Sequence, residues 1–84
     1  MTRLLYFAWV KEKTGIASED VAVPEEIATV AELVTWLKTR GPEFENAFEQ
    51  DAAIRVAIDQ THARHDAKII GAQEIAFFPP VTGG

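Results

Sequence analysis

Glu74-Ile75-Ala76-Phe77-Phe78-Pro79-Pro80-Val81-Thr82-Gly83-Gly84 is the stretch on which the reading of this chain turns. Glu74 to Phe78 has the apolar and aromatic composition of a strand. Pro79 and Pro80 fix φ at two successive positions and remove two backbone donors, so the strand is expected to stop there. The last two positions carry no side chains. Glycine gains nothing by packing and loses conformational entropy when ordered, so a pair of them is explained best by a backbone that must enter a narrow slot. A frayed end is the plainer alternative; the stiff Pro-Pro exit behind an aromatic strand argues against it.

Working outward, Thr2 to Val10 reads as a first strand in which both alternation sets, Leu4-Tyr6-Ala8 and Leu5-Phe7-Trp9, are apolar, the pattern of a strand covered on two sides. Lys11 to Gly15 reads as a polar turn, and Glu19 to Val23 as a second strand closed by Pro24. Thr29-Val30-Ala31-Glu32 has the form of a capping box. Val30, Leu33, Val34 and Leu37 follow at helical spacing, with Trp36 beside the stripe and Gly41-Pro42 as the stop. Pro42 can open a shorter helix that turns Phe44, Ala47 and Phe48 inward. Ile54, Val56 and Ile58 alternate as a half-buried strand, and Asp59-Gln60-Thr61 is turn chemistry. His62 to Ala72 reads as a short strand and a loop with Ile69 and Ile70 tucked beneath it.

The order strand, strand, helix, short helix, strand, strand predicts an α+β domain over residues 1–78: a mixed sheet packed against one main helix plus a short one, with the first and last strands parallel at its centre. That is a ubiquitin-like, β-grasp architecture. Residues 79–84 are expected to be a flexible tail outside it.

The composition limits what such a domain can do. With 84 residues and 48% hydrophobic content there is one small core. No cysteine is present, which removes disulfides, thiolate metal sites and a thiol nucleophile. A domain so small without staples relies on close packing or on a partner that covers apolar surface. The net charge of −5, with basic residues scattered, argues against nucleic acid. No segment has the length of a membrane span and the N-terminus lacks a signal-peptide core, so the expected compartment is the cytoplasm. The acidic run Glu43 to Asp51 reads as a solvated helix face.

No conventional active site is legible. His62, His65 and Asp66 are too few for a metal site and read as solvated polar groups, so no metal is expected. Glu43, Glu45 and Glu49 look too exposed for pKa-tuned acid–base work. Ser18 has no histidine beside it, and Gly71-Ala72-Gln73 is a turn and not a phosphate cradle. The terminus remains. A free carboxylate is ionised near neutral pH and is a poor acyl donor. Exchange of an oxygen for a better leaving group, as in a mixed anhydride with AMP, would make it reactive. Gly83 and Gly84 would leave room for that in an activating enzyme's slot. The activated carbonyl could then take sulfur, giving a thiocarboxylate, or an amine, giving an amide.

The terminal run closely resembles that of the small subunits of molybdopterin synthase, the ubiquitin-like sulfur carriers of molybdenum cofactor synthesis. The likeness extends to Leu4-Leu5-Tyr6-Phe7-Ala8-Trp9-Val10-Lys11-Glu12, to Thr14-Gly15, to Thr29-Val30-Ala31-Glu32-Leu33 and to Ala57-Ile58-Asp59-Gln60. The resemblance implies that an ATP-dependent adenylating enzyme activates Gly84 and that a sulfur donor protein converts it to a thiocarboxylate. Pro79, Pro80, Val81, Thr82 and Gly83 would thread into the large subunit, where sulfur passes to cyclic pyranopterin monophosphate, within a heterotetramer of two small and two large subunits. The resemblance also implies that no cofactor is bound stably and that ATP is used by the activating enzyme. Phe7, Phe77 and Phe78, on strands read as apolar on both faces, are the expected partner contacts. Ala72-Gln73 departs from the Gly-Asp often found before the last strand, and His62 stands where an apolar residue is common. A thiamin-type sulfur carrier, a ubiquitin-like modifier of lysines and an interaction domain with an idle tail are the alternatives.

Overall fold

The computed structural model describes residues 1–80. At its centre strand β5 (Glu74–Phe78) lies between β1 (Thr2–Tyr6), to which it is parallel, and β3 (Arg55–Ile58), to which it is antiparallel. Strands β2 (Ser18–Val21) and β4 (Thr61–Ala63) form the edges, giving the order β2-β1-β5-β3-β4. The register aligns Leu4 with Ile75 and Ile58, and Tyr6 with Phe77 and Val56. Side chains alternate across a sheet, so these residues share one face; Leu4, Tyr6, Val56, Ile75 and Phe77 on it are all buried.

Helix α2 (Val30–Lys38) sets its stripe of Val30, Leu33, Val34 and Leu37 into the same core. It begins where the sequence predicts. Thr29 Oγ1 accepts from the Glu32 amide at 3.2 Å, and Glu32 Oε1 accepts from the amides of Ala28 and Thr29 at 2.8 and 3.1 Å. Its end comes earlier than Gly41. The Thr39 hydroxyl donates to the Trp36 carbonyl at 2.6 Å and closes the last turn, leaving Gly41 to precede helix α3 (Pro42–Ala47), with Pro42 in its first turn. Phe44, Ala47 and Phe48 are buried as the pattern required.

The N-terminal strand is shorter than its composition predicts. Phe7 makes the last ladder bond, its N–H donating to the Phe77 carbonyl at 3.0 Å. Ala8, at φ 54°, then turns the chain into helix α1 (Ala8–Thr14). The expected polar turn is therefore the end of a helix. Val10 and Thr14, four apart, are its buried residues; Gly15 closes it at φ 83°, and its N–H donates to Lys11 O at 2.8 Å. Helical Trp9 and Val10 thus cover the end of the core, so β1 keeps one buried side and not two.

The stretch after β4 folds over the start of α2. Val30 N–H donates to Ala67 O at 3.1 Å and Ile69 N–H to Ala28 O at 2.9 Å. Ile69 is buried by this clasp, whereas Ile70 is 79% exposed and does not share its pocket.

Candidate tail exit and docking face

Two rows of side chains on the opposite face of the sheet define the site. Leu5, Ala76, Ala57 and His62 stand in register across β1, β5, β3 and β4, and Phe78 is paired with Arg55 in the next row. Phe7 follows Tyr6 by one residue and so turns toward this same side; it is 47% exposed. The His62 ring meets Phe78 edge-on, with centroids 5.5 Å apart. All three helices contribute buried apolar side chains to the core on the inner face, so the outer face keeps an apolar strip of Leu5, Phe7, Ala57, Ala76 and Phe78 bounded by Arg55 and His62. β5 ends at Phe78, and half-buried Pro79 and Pro80 leave from the end of this strip.

Of the aromatic residues expected at a partner surface, Phe7 and Phe78 are on the outer face. Phe77 is not. It is fully buried, stacked on Tyr6 at 6.0 Å and edge-on to Phe48 at 5.2 Å. Consecutive strand residues point to opposite faces, so Phe77 and Phe78 cannot both be offered to one partner. Phe7 also differs from expectation in standing at the N-cap of α1 and not within a strand. Val81, Thr82, Gly83 and Gly84 lie outside the described residues. Sequence alone does not place Leu5, Ala57 and Arg55 on this surface, because a face is shared through register, which one strand's pattern does not reveal.

The aromatic cluster behind the exit is anchored by a polar network. Tyr6 Oη donates to Glu19 Oε2 at 2.7 Å, and Arg40 donates to both Glu19 oxygens at 2.6 and 2.9 Å. The Arg40 guanidinium also lies 4.8 Å from the Phe44 ring centre. Burial, reinforced by the hydrogen bond to Glu19, raises the Tyr6 phenol far above the ordinary tyrosine range, so it remains a donor. Arg40, bonded to Glu19, holds that carboxyl below its ordinary value. A carboxyl whose folded pKa is depressed contributes stability that is present above its unfolded pKa and is lost as pH falls through the folded value. Glu19→Gln is therefore expected to cost about 1–2 kcal/mol at neutral pH. Its unfolding midpoint should converge on that of the wild type as the pH drops below about 4. Thermal melts across pH 3 to 7 check this; a constant gap at every pH would show that the Glu19 charge does not matter.

Among the described residues no three His, Cys, Asp or Glu side chains are grouped to hold a metal ion. His65 Nε2 is 2.8 Å from the Ile54 carbonyl, to which it donates, while His62 faces Phe78 on the outer side. No helix among the described residues is long and apolar enough to cross a membrane.

A five-stranded mixed sheet with parallel central strands, wrapped around one principal helix and releasing its last strand through Pro-Pro, is a ubiquitin-like β-grasp domain. The chain belongs to the ThiS family, whose model matches residues 4–84. It is 34% identical to the molybdopterin synthase sulfur carrier subunit of Escherichia coli (strain K12) over the whole of both chains. It is also 34% identical to the human protein of that name, over 96% of this chain and 91% of the relative. The fold matches the crystal structure of SAMP1 from Haloferax volcanii with a TM-score of 0.73 and 28% identity, covering 99% of this chain and 98% of that one.

Proposed function

We propose that this protein is the sulfur carrier subunit of a molybdopterin synthase. The observation that carries the reading is the end-to-end match to subunits of that name, and the apolar strip beside the strand end supports it by providing a place to dock. The protein works without a catalytic side chain of its own. An adenylating enzyme joins the carboxylate of Gly84 to the α-phosphate of ATP and releases pyrophosphate. Sulfide-level sulfur supplied by a donor protein attacks the acyl carbon as its bond to the AMP oxygen breaks, leaving a terminal thiocarboxylate and free AMP. The apolar strip docks on the synthase large subunit, and Pro79 to Gly83 deliver the thiocarboxylate to cyclic pyranopterin monophosphate. The thiocarboxylate sulfur bonds to the pterin, and water then cleaves the acyl–sulfur bond, leaving the sulfur on the pterin and returning the carboxylate for another round. Two carriers loaded in turn supply the two sulfurs of the dithiolene, and the complex is a heterotetramer acting in the cytoplasm.

The test is intact mass spectrometry after incubation with the adenylating enzyme, ATP and a sulfur source. One terminal oxygen should be exchanged for sulfur, and the loaded protein should convert the pterin precursor when the large subunit is added. Sulfur located elsewhere, or none where a known carrier is loaded, would refute the reading. An amide link to lysine would identify a protein modifier, and delivery only to a thiamin-type acceptor a different pathway.

A further inference from the structure

Beside the tail exit, at the β3–β4 edge, lies a cleft of about 380 Å³ lined by Ala52, Ile54, Arg55, Ala63, Arg64 and His65. Two arginines line it and no acidic residue does. The chain carries a net charge of −5, and three of its other cations have anionic partners: Arg3 with Asp20, Lys38 with Asp51 and Arg40 with Glu19. Arg55 and Arg64 are both exposed, and neither guanidinium has an ion pair or hydrogen bond among the described residues. Asp51, at the start of the turn before β3, is engaged by Lys38 Nζ at 2.9 Å. His65 is oriented by its bond to Ile54 O. Two arginines with unused donor forks beside a cleft suit a carboxylate or phosphate, which guanidinium binds through paired hydrogen bonds.

The location decides which anion. Arg55 is the direct cross-strand partner of Phe78, so the cleft borders the root of the tail. An adenylate carried on Gly84 would be six residues further on, roughly 20 Å when the tail is extended into a slot. It could not reach back to Arg55. The anion must come from the protein surface that surrounds the slot's mouth. Resting on the docking reading above, we infer that Arg55 and Arg64 recognise an acidic rim, Asp or Glu side chains, on the large subunit that takes the tail. They would steer its approach and fix its register, the usual work of charges around an apolar contact.

The experiment measures association of the protein with its own large subunit by stopped flow, at about 50 mM and 1 M NaCl. It uses Arg55→Glu, Arg64→Glu, the double variant and Phe78→Ala, with thermal melts to confirm folding. The double charge reversal should slow association about ten-fold or more at low salt. The difference should shrink at high salt, where the Debye length falls to about 3 Å. Arg55→Lys with Arg64→Lys keeps the charge and should leave the association rate near wild type, while dissociation is faster because the paired hydrogen bonds are lost. If the reversed variant associates as fast as wild type at low salt, or faster, while Phe78→Ala weakens binding, the acidic rim is wrong and the docking face stands. If slowing is seen with the arginine variants alone, the acidic contact stands and the apolar strip is not the docking face. If none of the variants alters binding, both readings fall.

Discussion

Replacing Phe77 by alanine is expected to destabilise the domain by about 3–5 kcal/mol, the range for emptying a buried aromatic site. Replacing its neighbour Phe78 should cost under about 1 kcal/mol of stability and instead weaken docking. Phe77 is fully buried on the middle strand, against Tyr6 and Phe48. Collapse around the void would have to disturb both the sheet centre and α3. A domain of this size has roughly 4–12 kcal/mol in all, by the usual stability per residue, so the variant should be partly unfolded in mild denaturant or at physiological temperature. Phe78 is half-buried, with His62 as its aromatic neighbour. Its truncation leaves an indentation on an open face and no cavity. If it is central to the partner contact, affinity for the large subunit should fall by about 2 kcal/mol or more, some thirty-fold. Urea unfolding and titration of the two variants check the contrast. Equal stability losses, or a greater loss for Phe78, would mean that the faces of β5 are assigned wrongly.

That contrast marks how far the sequence could be read. The architecture was legible because its signals were local: the capping box at Thr29, the stripe from Val30 to Leu37, the alternation of Ile54, Val56 and Ile58, and the aromatic strand stopped by Pro-Pro. Helix α1 was not. Leu5, Phe7 and Trp9 continue the alternation of a strand through the point where Ala8, at φ 54°, changes the chain's direction. The contrary evidence was Val10 and Thr14 at one helical turn, two lysines in the last turn and Gly15 in the C′ position. Phe77 and Phe78 were grouped for a related reason. Two adjacent aromatics belong to opposite faces, but which one is inside depends on pairing with β1 and β3, a non-local fact. The arginines at the edge read as scattered charge until β3 and β4 brought Arg55 and Arg64 to one cleft. The tail was the reverse case: its reading comes from the sequence and from likeness to known carriers, since residues 81–84 lie outside the described structure.

Ending the chain at Gly83, or adding a residue beyond Gly84, is expected to abolish sulfur transfer while leaving the folded domain and its docking intact. Among the described residues, every member of the buried cluster falls between Leu4 and Phe77. The proposed docking strip is complete by Phe78. Neither change reaches it, so thermal midpoints and large-subunit affinity should stay near wild type. The reaction is a different matter. In the proposed cycle adenylation needs a terminal carboxylate oxygen, and sulfur loading needs the terminal carbonyl carbon, within about 3–3.5 Å of its partner. Removing one residue withdraws that carbon by up to about 3.3–3.6 Å, a whole attack distance. Adding one replaces the carboxylate in the slot with a peptide bond and puts a side chain or further backbone where the nucleotide must sit. The tail cannot readily recover the distance, because Pro79 and Pro80 restrict φ where it leaves the strand. The expected result is normal circular dichroism, normal binding and no pterin product, with a decrease of several orders of magnitude in thiocarboxylate formation. Full product from a variant ending at Gly83 would remove Gly84 from the chemistry. Loss of docking along with activity would show instead that the tail belongs to the binding surface and that delivery and docking are not separable.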